Sequence, residues 1–288
     1  MQSNRKTTML KNILYTETSP IGFFDSGVGG LSIYAEFKKI LPKENTLYYG
    51  DLLHLPYGNK SKEELINYAR FILDFYKKQK VKAVVIACNT SSAQAYESIK
   101  DDYNFKIYPI IQCCAKIIAM QNYKKIGVFA TQSTVNSKVY TTEIQKYSPQ
   151  KIIKEIACPN WVNIVETNSN NFSDIKKHMD EMLEFNPEKV VLGCTHYPFL
   201  INELKKYAPE DFFINPAKIF VNYIYDDLRN SNLLNQITTK GTEKFFVSSN
   251  IDKFKHNAVL FYPINTSVDL ITENVEISDR LESACLNC

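Results

Sequence analysis

Slid against itself by about 105 residues, the chain matches in two places and in the same order. Residues 21–24 read I-G-F-F and residues 126–129 read I-G-V-F; residues 84–88 read V-V-I-A-C and residues 190–194 read V-V-L-G-C. Either match alone is weak, because apolar strands resemble one another by chance. Two in register support duplication: the chain is built from two copies of one strand-and-loop unit. Each second match ends on a cysteine, so Cys88 and Cys194 are equivalents.

The copies are α/β in character. Short apolar runs at 21–24, 47–49, 81–87, 107–111, 126–130, 152–157 and 190–193 read as strands, several too continuously apolar to have a wet face, which predicts parallel sheets. Between them, residues 61–80 place Leu65, Tyr68, Ala69, Ile72, Leu73 and Tyr76 on one helical stripe, opened by a Ser61 and Glu64 capping box. Residues 174–185 repeat the pattern with Ile175, Met179, Met182 and Leu183 inward. The expected architecture is therefore two pseudo-symmetric α/β lobes, parallel sheets flanked by helices, with a cleft between them as the site. Residues 1–112 with 222–288 are expected to form the first lobe and 113–221 the second, the tail from Ser231 packing back onto the first.

Composition narrows the function. Of 288 residues 44% are hydrophobic, and 34 Lys+Arg against 31 Asp+Glu leave a formal charge of +3. That excludes a disordered chain and leaves no dedicated face for nucleic acid. No apolar run approaches the roughly 20 residues that cross a bilayer, and residues 1–20 carry no apolar leader segment. A cytoplasmic protein with no membrane partner is expected. Seven cysteines, an odd number, argue for reduced thiols over a disulfide framework. With four histidines, no H-E-x-x-H and no paired C-x-x-C motifs, no metal is expected. Cys285 and Cys288 read as surface thiols, Cys113, Cys114 and Cys158 as buried ones, His54, His178 and His256 as surface residues, and Lys77 to Lys82 as a solvated helix end.

Ligands of open α/β sheets gather at the carboxyl ends of the strands, where Cys88 and Cys194 both fall. Two facing copies would each present one thiol to a shared cleft, from opposite sides of whatever is bound. Stereoinversion at carbon needs this: one monoprotic group removes a proton from one face while another returns a proton to the other face. An unperturbed thiol, with a pKa near ~8.5, needs help to ionise. Asn89 and Thr90 open a helix after Cys88, and Pro198 suits a first helical position after Cys194, so both sulfurs are expected near helix N-termini. The loop Asp25-Ser26-Gly-Val-Gly-Gly30 lacks the spacing of a dinucleotide loop and the Lys of a P-loop; its amides and the Ser26 hydroxyl suit a small anion, and Asp25 an ammonium or a thiol proton.

At these residues the sequence resembles the glutamate racemases of the cofactor-independent Asp/Glu racemase family. The shared elements are G-F-F-D-S-G-V-G-G-L-S at 22–32, Y-G-D with L-P-Y-G at 49–58, A-C-N-T at 87–90, A-C-P at 157–159 with Val165-Glu166, and G-C-T-H-Y-P at 193–198. The resemblance implies racemisation of glutamate by two bases without pyridoxal phosphate, supplying D-glutamate for peptidoglycan, by a homodimer. The catalytic pair falls on Cys88 and Cys194, assisted by Asp25 on one side and by Glu166 and His196 on the other. Substrate-binding positions fall on Asp25, Ser26, Tyr57, Gly58, Asn89, Thr90, Thr195 and His196, with Thr131 and Thr134 added to the set. An aspartate or other amino-acid racemase, a one-cysteine lyase or isomerase, and a two-lobed binding protein without catalysis are the competing readings.

Overall fold

A computed structural model describes residues 15–272. Cys285 and Cys288 lie outside them. Ten strands form two all-parallel sheets. The larger is built from β1 (Ile21–Asp25), β2 (Thr46–Gly50), β3 (Ala83–Ile86), β4 (Lys106–Pro109), β9 (Glu243–Val247) and β10 (Val268–Leu270), in the order β10-β9-β2-β1-β3-β4. The smaller contains β5 (Lys125–Ala130), β6 (Ile152–Ala157), β7 (Lys189–Gly193) and β8 (Phe213–Ile214), in the order β6-β5-β7-β8. The inner strands β2-β1-β3-β4 and the whole second sheet thus share one order. Their registers agree as well: Ile21 lies beside Ala83 as Ile126 lies beside Lys189.

Alternation along the strands explains the packing. Ile21 and Phe23 face a large central core to which both sheets contribute, while Phe24 faces an outer core beneath the helix Lys62–Lys78. In β3, Ala83 and Val85 face the central core, whereas Val84, Ile86 and, beyond them, Cys88 face outward. β7 does the same, Val191 inward and Val190, Leu192 and Cys194 outward. The two cysteines therefore share a parity as well as a position. Each fully buried Phe, Ile or Val side chain contributes roughly 1.5–3 kcal/mol. The glycine common to the repeat has a packing reason in both copies: a Cβ on Gly22 would lie 2.8 Å from the Tyr76 ring, and one on Gly127 would meet the Met182 sulfur. A helix crosses the sheet closely at each.

The helix Lys62–Lys78 starts on the expected capping box, Ser61 accepting from the Glu64 N–H and Glu64 from the Ser61 N–H. Several expectations are corrected. Residues Ile110 and Ile111 open the helix Ile110–Ala119 and do not continue β4, because Pro109 ends the strand and caps the helix. Leu183 is exposed although it shares a sequence stripe with Met179. His178 is buried beside Trp161 and is not a surface residue. Lys82 leaves the solvated run that precedes it and is buried against Glu44 at 2.6 Å, also donating to the carbonyls of Glu17 and Leu233. The tail returns to the first sheet as expected, β9 pairing with β2. Among the described residues no helix is long and apolar enough to cross a membrane.

Candidate active site

In both sheets the chain leaves β1 or β5 for one neighbour and later returns to the other side, so the strand order reverses beside β1 and beside β5. Loops at such a switch point splay apart and leave a crevice. Here the two crevices face each other and merge into one cavity. Cys88 and Cys194 both line it, together with Ser26, Tyr57, Gly58, Asn89, Thr90, Thr131, Thr195 and His196. Asp25, Glu166 and Thr134 stand behind this wall. Asp25 is fully buried, its Oδ2 accepting from the Gly27 N–H at 3.0 Å and its Oδ1 from the Thr195 hydroxyl at 3.4 Å. Thr131 caps the helix Gln132–Ser137, its hydroxyl accepting from the Thr134 N–H; that hydroxyl also lies 3.0 Å from the Thr134 hydroxyl and 2.9 Å from that of Thr90.

The two sulfurs have different surroundings. Cys88 sits immediately before the helix Asn89–Gln94, as expected. Burial pushes its thiol up to about 12, Asp25 adds to the rise, and Ser91 in the opening turn pulls only partly back. Cys194 directly follows β7, two residues before the cap of a 3-10 turn, Tyr197–Leu200, in which Pro198 takes its first-turn place. The helix expected behind it begins as a 3-10 turn leading into Ile201–Leu204, and the group that faces this sulfur is a side chain. His196 Nδ1 lies 3.9 Å from Cys194 Sγ, and its Nε2 lies 2.8 Å from Glu166 Oε1. Burial pulls the imidazole down, but Cys194 and Glu166 outweigh it and raise His196 to about 10. Glu166 is also pulled in two directions: burial raises it, yet His196, Asn257 and Lys253 hold it below the usual carboxylate range. Asp25 is raised, since burial outweighs His196 and the N–H groups of Gly27 and Gly30.

One thiol is therefore held neutral while the other faces a buried cation, within a single cavity. Residues 22–224 match the Asp/Glu/Hydantoin racemase family. The chain belongs to that family. It is 35% identical to the glutamate racemase of Thermoanaerobacter pseudethanolicus over 266 residues, covering 90% of this chain and 96% of that one. Among solved structures it is similar to glutamate racemase of Francisella tularensis in complex with D-glutamate, with a TM-score of 0.83 and 29% identity over 89% of this chain and 98% of that one. Glutamate racemase of Thermus thermophilus in complex with beta-chloro-D-alanine gives a TM-score of 0.80 and 28% identity, covering 90% and 99%.

In this racemase-family chain the cavity wall also includes Leu55, Pro56, Asn59, Gln132, Pro159 and Val162. Leu55, Pro56 and Pro159 lie inside motifs already quoted, and Gln132 between two named threonines; Val162 carries no signal in the sequence. Tyr57 is aimed by Asp51, its hydroxyl donating at 2.5 Å to a carboxylate that also meets His54 at 2.8 Å. Asn89 receives the Tyr140 hydroxyl on Oδ1 at 2.7 Å, leaving its buried Nδ2 without a partner at the cavity wall. An amide so placed is free to donate to a bound carboxylate. Among the described residues no group of three His, Cys, Asp or Glu side chains converges as metal ligands would.

Proposed function

We propose that this chain is a glutamate racemase, inverting the α-carbon by proton transfer between Cys88 and Cys194 without pyridoxal phosphate. The observation that carries the reading is the placement of two equivalent thiols on one cavity with unequal electrostatics. Two-base inversion needs one base ionised and one acid protonated at the same moment. His196 stands beside Cys194 with its ring held by Glu166, while burial and Asp25 keep Cys88 a thiol. In one direction the Cys194 thiolate takes the α-proton and Cys88 delivers its own proton to the opposite face, so that the two sulfurs exchange states. The reverse direction begins from a Cys88 thiolate, with Asp25 beside it to accept or return the proton.

Donors for the substrate's carboxylates are at hand. Asn89 Nδ2 and the hydroxyls of Ser26, Thr90, Thr131 and Thr195 belong to residues that line the same space, and stabilising the carboxylate lowers the cost of the carbanion. Residues 1–112 with 222–288 and residues 113–221 act as the two lobes, each supplying one thiol. D-glutamate made this way serves peptidoglycan synthesis, which puts the reaction in the cytoplasm. The test is exchange: in deuterated water, with L- or D-glutamate, the α-proton should be replaced by deuterium as optical rotation decays to zero. Unchanged rotation with no exchange from either enantiomer would sink the reading, and exchange with aspartate alone would move it to an aspartate racemase.

A further inference from the structure

The tail beyond the family match contributes to the site. The helix Ile251–Ala258 rests on the first sheet through the buried Phe254, whose ring lies 6.0 Å from that of Tyr48. From its last turn Asn257 reaches across to the helix Trp161–Thr167 of the second copy, donating from Nδ2 to Glu166 Oε2 at 2.9 Å. Glu166 Oε1 holds His196, which faces Cys194. A carboxylate has two oxygens, and its plane is defined only when both are engaged. Glu166 also opens onto a second cavity, lined by Asn257 and Lys253 and distinct from the one holding the thiols. In place of Asn257, water from that cavity would compete for Oε2.

We propose that Asn257 is a positioning residue for the reaction at Cys194: by fixing Glu166 it fixes the imidazole that faces the Cys194 sulfur. The proposal rests on the racemase reading above. The charged and titratable groups around the pair include Cys194 beside His196, Asp25 near both, Tyr48 near Glu166, and Lys253 on the Glu166 side, the last on the same helix as Asn257. Phe261, further along the tail, adds a ring 6.1 Å from that of His196. Asn257 acts on one half of a nearly symmetric site, and that asymmetry is what an experiment can read.

The test compares wild type, Asn257→Leu and Asn257→Gln in racemisation of both enantiomers, with α-protonated and α-deuterated glutamate, and across pH. A hydrogen bond to a charged group is worth roughly tenfold in rate. Asn257→Leu should lose about that factor in kcat/KM, equally in both directions because the equilibrium constant is one. Its isotope effect should grow only where Cys194 removes the deuteron and shrink where Cys88 does. The alkaline limb of its pH profile should move to lower pH, and Asn257→Gln should recover part of the loss. Activity within twofold of wild type, or a loss with isotope effects unchanged in both directions, would overturn the proposal. A wild-type protein that racemises neither enantiomer would instead remove the reading beneath it.

Discussion

His196 holds Glu166 on one nitrogen at 2.8 Å and faces the Cys194 sulfur with the other at 3.9 Å. Both nitrogens serve as donors only when the ring is protonated. The relationship links a carboxylate outside the substrate cavity to a nucleophilic atom inside it, and nothing comparable stands beside Cys88.

Loss of either thiol is expected to end racemisation in both directions, since the proposed mechanism uses both in each turnover. Cys88→Ser and Cys194→Ser should each lower kcat by at least about a thousandfold, within the range of a lost acid or base, with little change in melting temperature. Full activity in either variant would exclude a two-base mechanism.

Because His196 is raised from its ordinary value near ~6.5 to about 10, the folded protein holds this proton more tightly than the unfolded chain does. The stability it contributes is fully present below the unfolded value and is lost as pH rises through about 10. Urea midpoints should therefore fall more steeply over that window in wild type than in His196→Asn. An equal slope in the two proteins would contradict the assignment. Glu166→Gln should shift the alkaline limb of activity to lower pH.

Gly29 lies under the His196 ring: a Cβ there would stand 2.4 Å from Thr195 Oγ1 and 2.5 Å from the ring atoms Cε1 and Nδ1. The imidazole is already held by Glu166, so Gly29→Ala must displace it or the loop. An overpacking strain of about 1–3 kcal/mol, applied to the position of Nδ1, predicts a fall in kcat/KM of roughly ten- to a hundredfold. A variant with wild-type kinetics would show that the loop yields freely.

Lys82 and Glu44 form a buried ion pair at 2.6 Å. Glu44 also accepts from the Asn235 N–H at 2.8 Å, so the pair joins the first sheet to the start of the returning tail. Lys82→Met leaves a buried carboxylate without its cation and should cost about 3–5 kcal/mol in denaturant unfolding. Lys82→Met with Glu44→Leu should recover part of that loss; a double variant no better than the single one would argue against charge as the cause.

Much of the fold was legible because it repeats. The strand at 126–130 needs only a continuous apolar run to be found, and the helix over 62–78 only its stripe and capping box. Lys82 and His178 were misread for one reason: local pattern cannot report a partner distant in sequence, and Lys82 finds Glu44, Glu17 and Leu233 only when the sheet closes. Behind Cys194, Pro198 marks the first turn as read from the sequence, but local pattern does not say how many turns follow.

The amino-acid sequence alone determines that there are two copies, that each presents a cysteine at the end of its second repeated strand, and that motifs around those cysteines match a racemase family. These are local or periodic properties, carried by side-chain types at fixed spacing. Only the tertiary structure decides that the two thiols share a cavity, that Asp25, Glu166 and Thr134 stand behind its wall, and that a tail residue, Asn257, completes the support of His196. The electrostatic inequality of the thiols belongs to the same class. It depends on burial and on charges brought from four separate stretches of chain, and those distances exist only after folding.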